Sequence, residues 1–108
     1  MSAEENIKKL NLNLPKAPDP VGSYVATKIS GKLLFISGQI SIDANGSLIK
    51  GKLGKELDVK KGYEAAERCA LNIIAQAKKI CSEDLSKIKS IIKLTGYVNS
   101  TDSFIEQP

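Results

Sequence analysis

The sequence predicts an α+β fold, and three observations carry that prediction. Residues 23–50 hold three stretches of strand-forming residues separated by glycine-containing turns. One long segment, 58–81, repeats its apolar residues at steps of three and four. An Ile-rich stretch, "IKSIIKLTGYV", follows it. Strands, one covering helix and a further strand make a sheet layered with helix on one face.

The elements follow in chain order. Ser2 and Glu5 fit a capping box, and Ile7 and Leu10 are three apart, so residues 2–10 read as a short helix. In "NLPKAPDPVG", Pro15, Pro18 and Pro20 force an extended path, an arm lying across the domain. "SYVATKIS" alternates and is β-branched; Gly31-Lys32 turns; "LLFISGQIS" is apolar up to Ser37. The two read as a hairpin, and a continuous apolar run places the second strand centrally, buried on both faces. Asp43-Ala44-Asn45-Gly46 is a turn, and "SLIK" is a short third strand.

Asp58 caps the long helix, which runs to about Cys81. Val59, Tyr63, Ala66, Ala70, Ile73, Ile74, Ala77 and Ile80 form its apolar stripe. Gly62 costs about 1 kcal/mol of helix propensity against Ala, which close packing on the sheet would explain. Residues 88–98 read as a fourth strand. Asn99-Ser100-Thr101-Asp102 then sets up a second helix beginning near Phe104 and Ile105. A sheet with one covering helix leaves apolar surface bare. The expected organisation is one domain over 1–108, with an arm at 1–22 and a core at 23–108.

Composition narrows the chemistry. There is no His, which removes the usual general base and metal ligand. Arg68 is the only arginine among 16 basic residues, so at most one bidentate carboxylate clamp exists. Glu64 stands four residues before it, which favours a structural ion pair over a ligand site. Scattered Lys and five aromatic residues make no stacking platform, so no nucleic-acid partner is expected. Cys69 and Cys81 are twelve residues apart in one helix, about 18 Å, too far to bridge. They read as reduced thiols, which fits the cytoplasm. The N-terminus lacks an apolar leader pattern, and no run reaches membrane-spanning length.

Two loops invite a functional reading. "GSLIKGKL" nearly matches a phosphate-binding loop, but Leu53 stands where Ser or Thr should ligate magnesium. In "FISGQIS", Ser37-Gly38-Gln39 places a hydroxyl, an open backbone and an amide at a strand end. That reads equally as a bulge or as part of a binding site. Tyr24, on the paired strand, reads equally as packing or as a ligand contact.

"LPKAPDPVGSYVATKISGKLLFISGQI", "GKLGKELDVKKGYEAAERCALNIIAQAKKI" and "IKSIIKLTGYVNS", in that order, resemble the RidA/YjgF family, also called L-PSP endoribonuclease-like. The resemblance runs from about Leu14 to Pro108 and is closest to the branch with an N-terminal helix and an "LP…P-PVG-Y" arm. It implies a chorismate-mutase-like α+β sheet with two helices on one face, assembled as a homotrimer with clefts between subunits. It implies hydrolysis of small imino acids and enamines to keto acids and ammonia, with no metal and no cofactor. Some members have been described instead as ribonucleases or translation inhibitors. A non-catalytic trimer binding a small carboxylate is a further expectation.

By the same resemblance, Tyr24 falls at the family's site tyrosine and Ser37 and Gly38 at its cleft-lining Ser-Gly pair, all three substrate-binding. Ser23 replaces the proline that many members carry before the tyrosine. The family's Asn, its carboxylate-gripping arginine and its water-holding glutamate have no counterpart in these residues. The expectation is a fold incomplete at its C-terminus, lacking a third of the family's length, with little or no catalysis.

Overall fold

The computed structural model describes residues 2–108 and has the element order helix, strand, strand, long helix, short 3-10 turn. Helix α1 spans Ala3–Lys9. The capping box is present: the Glu5 N–H donates to Ser2 Oγ at 3.1 Å, and the Ser2 N–H donates to Glu5 Oε2 at 3.2 Å. These bonds satisfy amide groups that a helix start leaves without partners. Residues 12–20 then run without helix or strand, as three prolines dictate.

Strand β1 spans Thr27–Ser30 and β2 spans Leu33–Ile36. They pair antiparallel in the register Thr27 with Ile36 and Ser30 with Leu33, turning at Gly31, whose φ is +59°. Helix α2 spans Val59–Ile80 and lies against both strands. Asp58 is its N-cap, its carboxylate accepting from the Lys61 N–H at 2.8 Å, and Cys81 is its C-cap. The architecture is thus α+β, a hairpin sheet with a helix across it.

Several expected elements differ. The first strand begins at Thr27 rather than Ser23, because residues 21–24 bend. There the Tyr24 N–H donates to the Gly22 carbonyl at 2.9 Å. Strand β2 is not central: among the described residues it pairs only with β1, and Phe35 remains 57% exposed. The third strand reduces to an isolated bridge between Ile42 and Leu48. Asp43 dominates that loop, since its Oδ1 accepts from the Asn45 and Ser47 N–H groups at 2.9 Å each. Side chain–backbone bonding of this kind competes with a ladder.

Residues 88–98 form no strand, because no neighbouring backbone among the described residues pairs with them. Their apolar side chains stay in water, Tyr97 at 94% exposure. The second helix is likewise absent: a turn occupies 102–103, and the Phe104 N–H donates to the Thr101 carbonyl at 3.2 Å. Propensity and capping signals nucleate such elements, but tertiary partners are needed to hold them.

The stretch after residue 98 is fastened to the glycine-rich loop instead. The Leu53 N–H donates to the Asn99 carbonyl and the Leu53 carbonyl accepts from the Thr101 N–H, both at 3.0 Å. Leu53 also explains Gly62. A Cβ on that glycine would lie 2.9 Å from Leu53 Cδ2, so the close approach is to this loop and not to the sheet.

The core is small. Its buried apolar residues are Ala17, Ala75, Ala77 and Leu85, and its buried polar residues are Asn72 and Gln76. The radius of gyration, 14.9 Å, exceeds the roughly 13 Å typical of a compact chain of this length. The apolar stripe of α2 faces the core only in part: Ala77 is buried, while Tyr63 is 67% exposed and Ala66, Ala70 and Ile80 are also exposed. The face that packs instead steps through Gly62, Ala65, Cys69, Asn72 and Gln76. Small residues let backbone approach its upper turns, and two amides serve its lower ones.

Candidate functional site

The site residues expected from sequence lie on either side of the β1–β2 pairing. Tyr24 ends the bent stretch before β1. Its ring lies beside Gly22, and its hydroxyl accepts from the Val21 N–H at 3.3 Å. Tyr24 is 46% exposed. Ser37 follows β2 directly. Its N–H donates to the Ala26 carbonyl at 2.9 Å, extending the ladder by one bond. Its hydroxyl donates to the Val25 carbonyl at 2.6 Å. The Ser37 side chain is therefore tied to the residue next to Tyr24, and the two candidates share one end of the hairpin.

Gly38 faces open space, since a Cβ there would meet no atom within 4 Å. The Gln39 amide closes the stretch by donating to the Ser37 carbonyl at 3.0 Å. The result is an exposed phenol, an anchored hydroxyl oxygen and an uncovered backbone, groups that accept and donate hydrogen bonds but supply no charge.

Charge lies elsewhere. Arg68 Nη2 is 3.3 Å from Glu64 Oε1 and 3.7 Å from Asp43 Oδ2, and its Nη1 donates to the Ser47 carbonyl at 3.1 Å. The chain's one guanidinium is thus committed to a helix-to-turn clasp. Cys69 and Cys81 are free thiols, and burial pushes the Cys69 thiol up from its ordinary range. Among the described residues, no group of three or more His, Cys, Asp or Glu side chains could hold a metal ion.

Two surface clefts among the described residues lie away from Tyr24, Ser37 and Gly38. One, of about 270 Å³, runs between the proline arm at Leu14–Ala17 and the end of α2 at Lys78 and Lys79. The other, of about 520 Å³, is an open depression around Gly54, Leu57 and Phe104. The glycine-rich loop beside it opens into backbone contacts with 99–101 and makes no phosphate cradle ahead of a helix.

Sequence reasoning missed Asn72 and Gln76. They are 1% and 2% exposed. Asn72 Nδ2 donates to the Ile40 and Ile42 carbonyls at 3.0 and 2.9 Å, and Gln76 Nε2 donates to the Pro18 carbonyl at 2.6 Å. The available signal was a pair of amides four residues apart inside "ALNIIAQAKK", on one helix face.

A hairpin whose ends carry Tyr24 and Ser37-Gly38, packed against one long helix, defines an α+β protein with a candidate site of uncharged hydrogen-bonding groups. Comparison gives the particular class: residues 4–108 match the family described as "YjgF/chorismate_mutase-like, putative endoribonuclease", and the chain belongs to that family. It is 38% identical to Protein TCP17 of Trypanosoma cruzi over 102 residues, covering 94% of this chain and 63% of that protein. It is 32% identical to a RutC family protein of Pyrococcus abyssi over 90 residues, 82% of this chain and 61% of the relative. Its fold superposes on the crystal structure of Atu1372, a protein of unknown function from Agrobacterium tumefaciens. The TM-score is 0.85 and the identity 42%, over 96% of this chain and 63% of the other. The chain therefore spans under two thirds of the length of these relatives. No helix among the described residues is long and apolar enough to cross a membrane.

Proposed function

We propose that these residues supply one wall of a cleft that binds and hydrolyses small 2-imino acids and their enamine tautomers, as the family resemblance implies. The observation that carries the reading is the bond from Ser37 Oγ to the Val25 carbonyl, which joins the Ser37-Gly38 stretch to the backbone next to Tyr24. In the proposed reaction, water adds to the imine carbon, and the carbinolamine so formed releases ammonia and leaves a 2-keto acid. Tyr24 and the Ser37-Gly38 stretch hold the substrate through hydrogen bonds. No metal or cofactor is needed, because the iminium is already electrophilic. The partner is a small imino acid or carboxylate, the working assembly is a homotrimer with the cleft between subunits, and the compartment is the cytoplasm.

The carboxylate clamp has to come from a guanidinium other than Arg68, which is held by Glu64, Asp43 and the Ser47 carbonyl. The 108 residues alone should therefore bind a keto acid weakly and hydrolyse 2-iminobutanoate little faster than buffer. Titrating 2-oxobutanoate into isotopically labelled protein should perturb the Tyr24 ring and the Gly38 amide. Perturbation confined to other residues, or hydrolysis at the rate of a full family enzyme, would overturn this reading.

The endoribonuclease wording of the family description supports a second reading, action on RNA. The chain has no His to serve as general base and a net charge of only +4. RNA binding that weakens steeply with salt and perturbs lysine-bearing segments would favour this alternative.

A further inference from the structure

Asn72 and Gln76 are the two largest fully buried side chains, and both are amides. A buried amide is costly unless its donors are satisfied, so a core that contains two needs a reason for them. Both donate to backbone carbonyls far away in sequence. Gln76 holds Pro18, 58 residues back, and Asn72 holds Ile40 and Ile42, 32 and 30 residues back. Among the described residues no buried side-chain nitrogen or oxygen lacks a partner.

These carbonyls belong to the segments that lead into and out of the candidate site. Pro18 lies in the arm that bends at 21–24 to present Tyr24, and Ile40 lies two residues after Gly38. The arm has no strand ladder at Pro18, and the hairpin exit has only the isolated bridge of Ile42 with Leu48, which leaves Ile40 outside it. An apolar side chain would bury each spot equally well but would fix no register along the backbone. Directed bonds to named carbonyls do, and two residues one turn apart on a rigid helix keep the attachments at a constant separation.

The Ser37 bonds to Val25 and Ala26 join the two site segments directly. We infer that Asn72 and Gln76 are positioning residues: from one face of α2 they fix the outer flanks of those segments, Gln76 the arm that leads to Tyr24 and Asn72 the exit that follows Gly38. The inference rests on the reading that those residues line the site. Neither amide touches the substrate; each acts through the backbone it holds. A shift of an ångström between two binding walls is enough to reduce productive binding substantially.

The test uses the labelled 108-residue protein with two near-isosteric variants, Gln76→Met and Asn72→Leu. Without ligand, Gln76→Met should shift the Tyr24 ring signals and leave the Gly38 amide in place. Asn72→Leu should do the reverse, moving Gly38 and Gln39. Each variant should also raise the Kd for 2-oxobutanoate about tenfold. A general structural role would move both regions together, and that result, or no shift in either region, overturns the inference. The ligand-free spectra decide it even if 2-oxobutanoate never perturbs Tyr24 or Gly38, which would instead remove the reading of the site. If Asn72→Leu fails to fold, Gln76→Met, which loosens only the arm, decides alone.

Discussion

Arg68 Nη2 lies 3.7 Å from Asp43 Oδ2, joining the middle of helix α2 to the turn that follows the hairpin. The same guanidinium reaches Glu64 and the Ser47 carbonyl, and its side chain is only 22% exposed. Arg68→Ala should therefore cost about 1 kcal/mol, more than an isolated surface pair, because the Ser47 carbonyl and two carboxylates lose one shared donor. Arg68→Lys should recover the charge but not the fork. Urea denaturation checks the stability. Keto-acid binding should not change with either substitution; a marked loss of affinity would place Arg68 at the site.

The contact between Leu53 and Gly62 predicts a reversal of sign. In an open helix Gly→Ala stabilises by about 1 kcal/mol. Here the new methyl carbon would meet Leu53 Cδ2 at 2.9 Å and Cδ1 at 3.3 Å. Gly62→Ala should be neutral to about 1 kcal/mol destabilising, since overpacking offsets the propensity gain. In the Leu53→Ala background the same change should become stabilising by about 1 kcal/mol. A thermal or urea double-mutant cycle measures the difference, and equal effects in both backgrounds would remove the proposed clash.

Burial raises the Cys69 thiol, which sets a direction for pH dependence. The folded state keeps the proton to higher pH than the unfolded chain does. This contribution is therefore fully present below the ordinary thiol range, near pH 8.5, and is lost as pH rises through the folded value. Stability should decline across that window, and Cys69→Ala should flatten the decline. Alkylation of Cys69 in native protein should also be slower than in urea-unfolded protein at the same alkaline pH.

Local signals were legible wherever the residues carried their own answer. Ser2 with Glu5, Asp58, the three prolines and the turn at Gly31 all have physics confined to a few neighbouring atoms, and each element forms where those residues place it. The Glu64–Arg68 pair was readable for the same reason, as an i,i+4 spacing on a helix. Tyr24, Ser37 and Gly38 were reached through the order of motifs, while their mutual placement came only with the bond between Ser37 and Val25.

By itself the sequence determined the α+β class, the family, the extent of the long helix and the single guanidinium. The tertiary structure decided which helix face packs, that residues 88–98 find no strand partner among the described residues, that Arg68 is held in a clasp, and that two amides anchor the arm and the hairpin exit. The division has a physical reason. Caps, turns and periodicity depend on residues within one turn of each other. A strand needs a neighbour's backbone, and a buried amide is tolerated only where a distant carbonyl arrives to receive it.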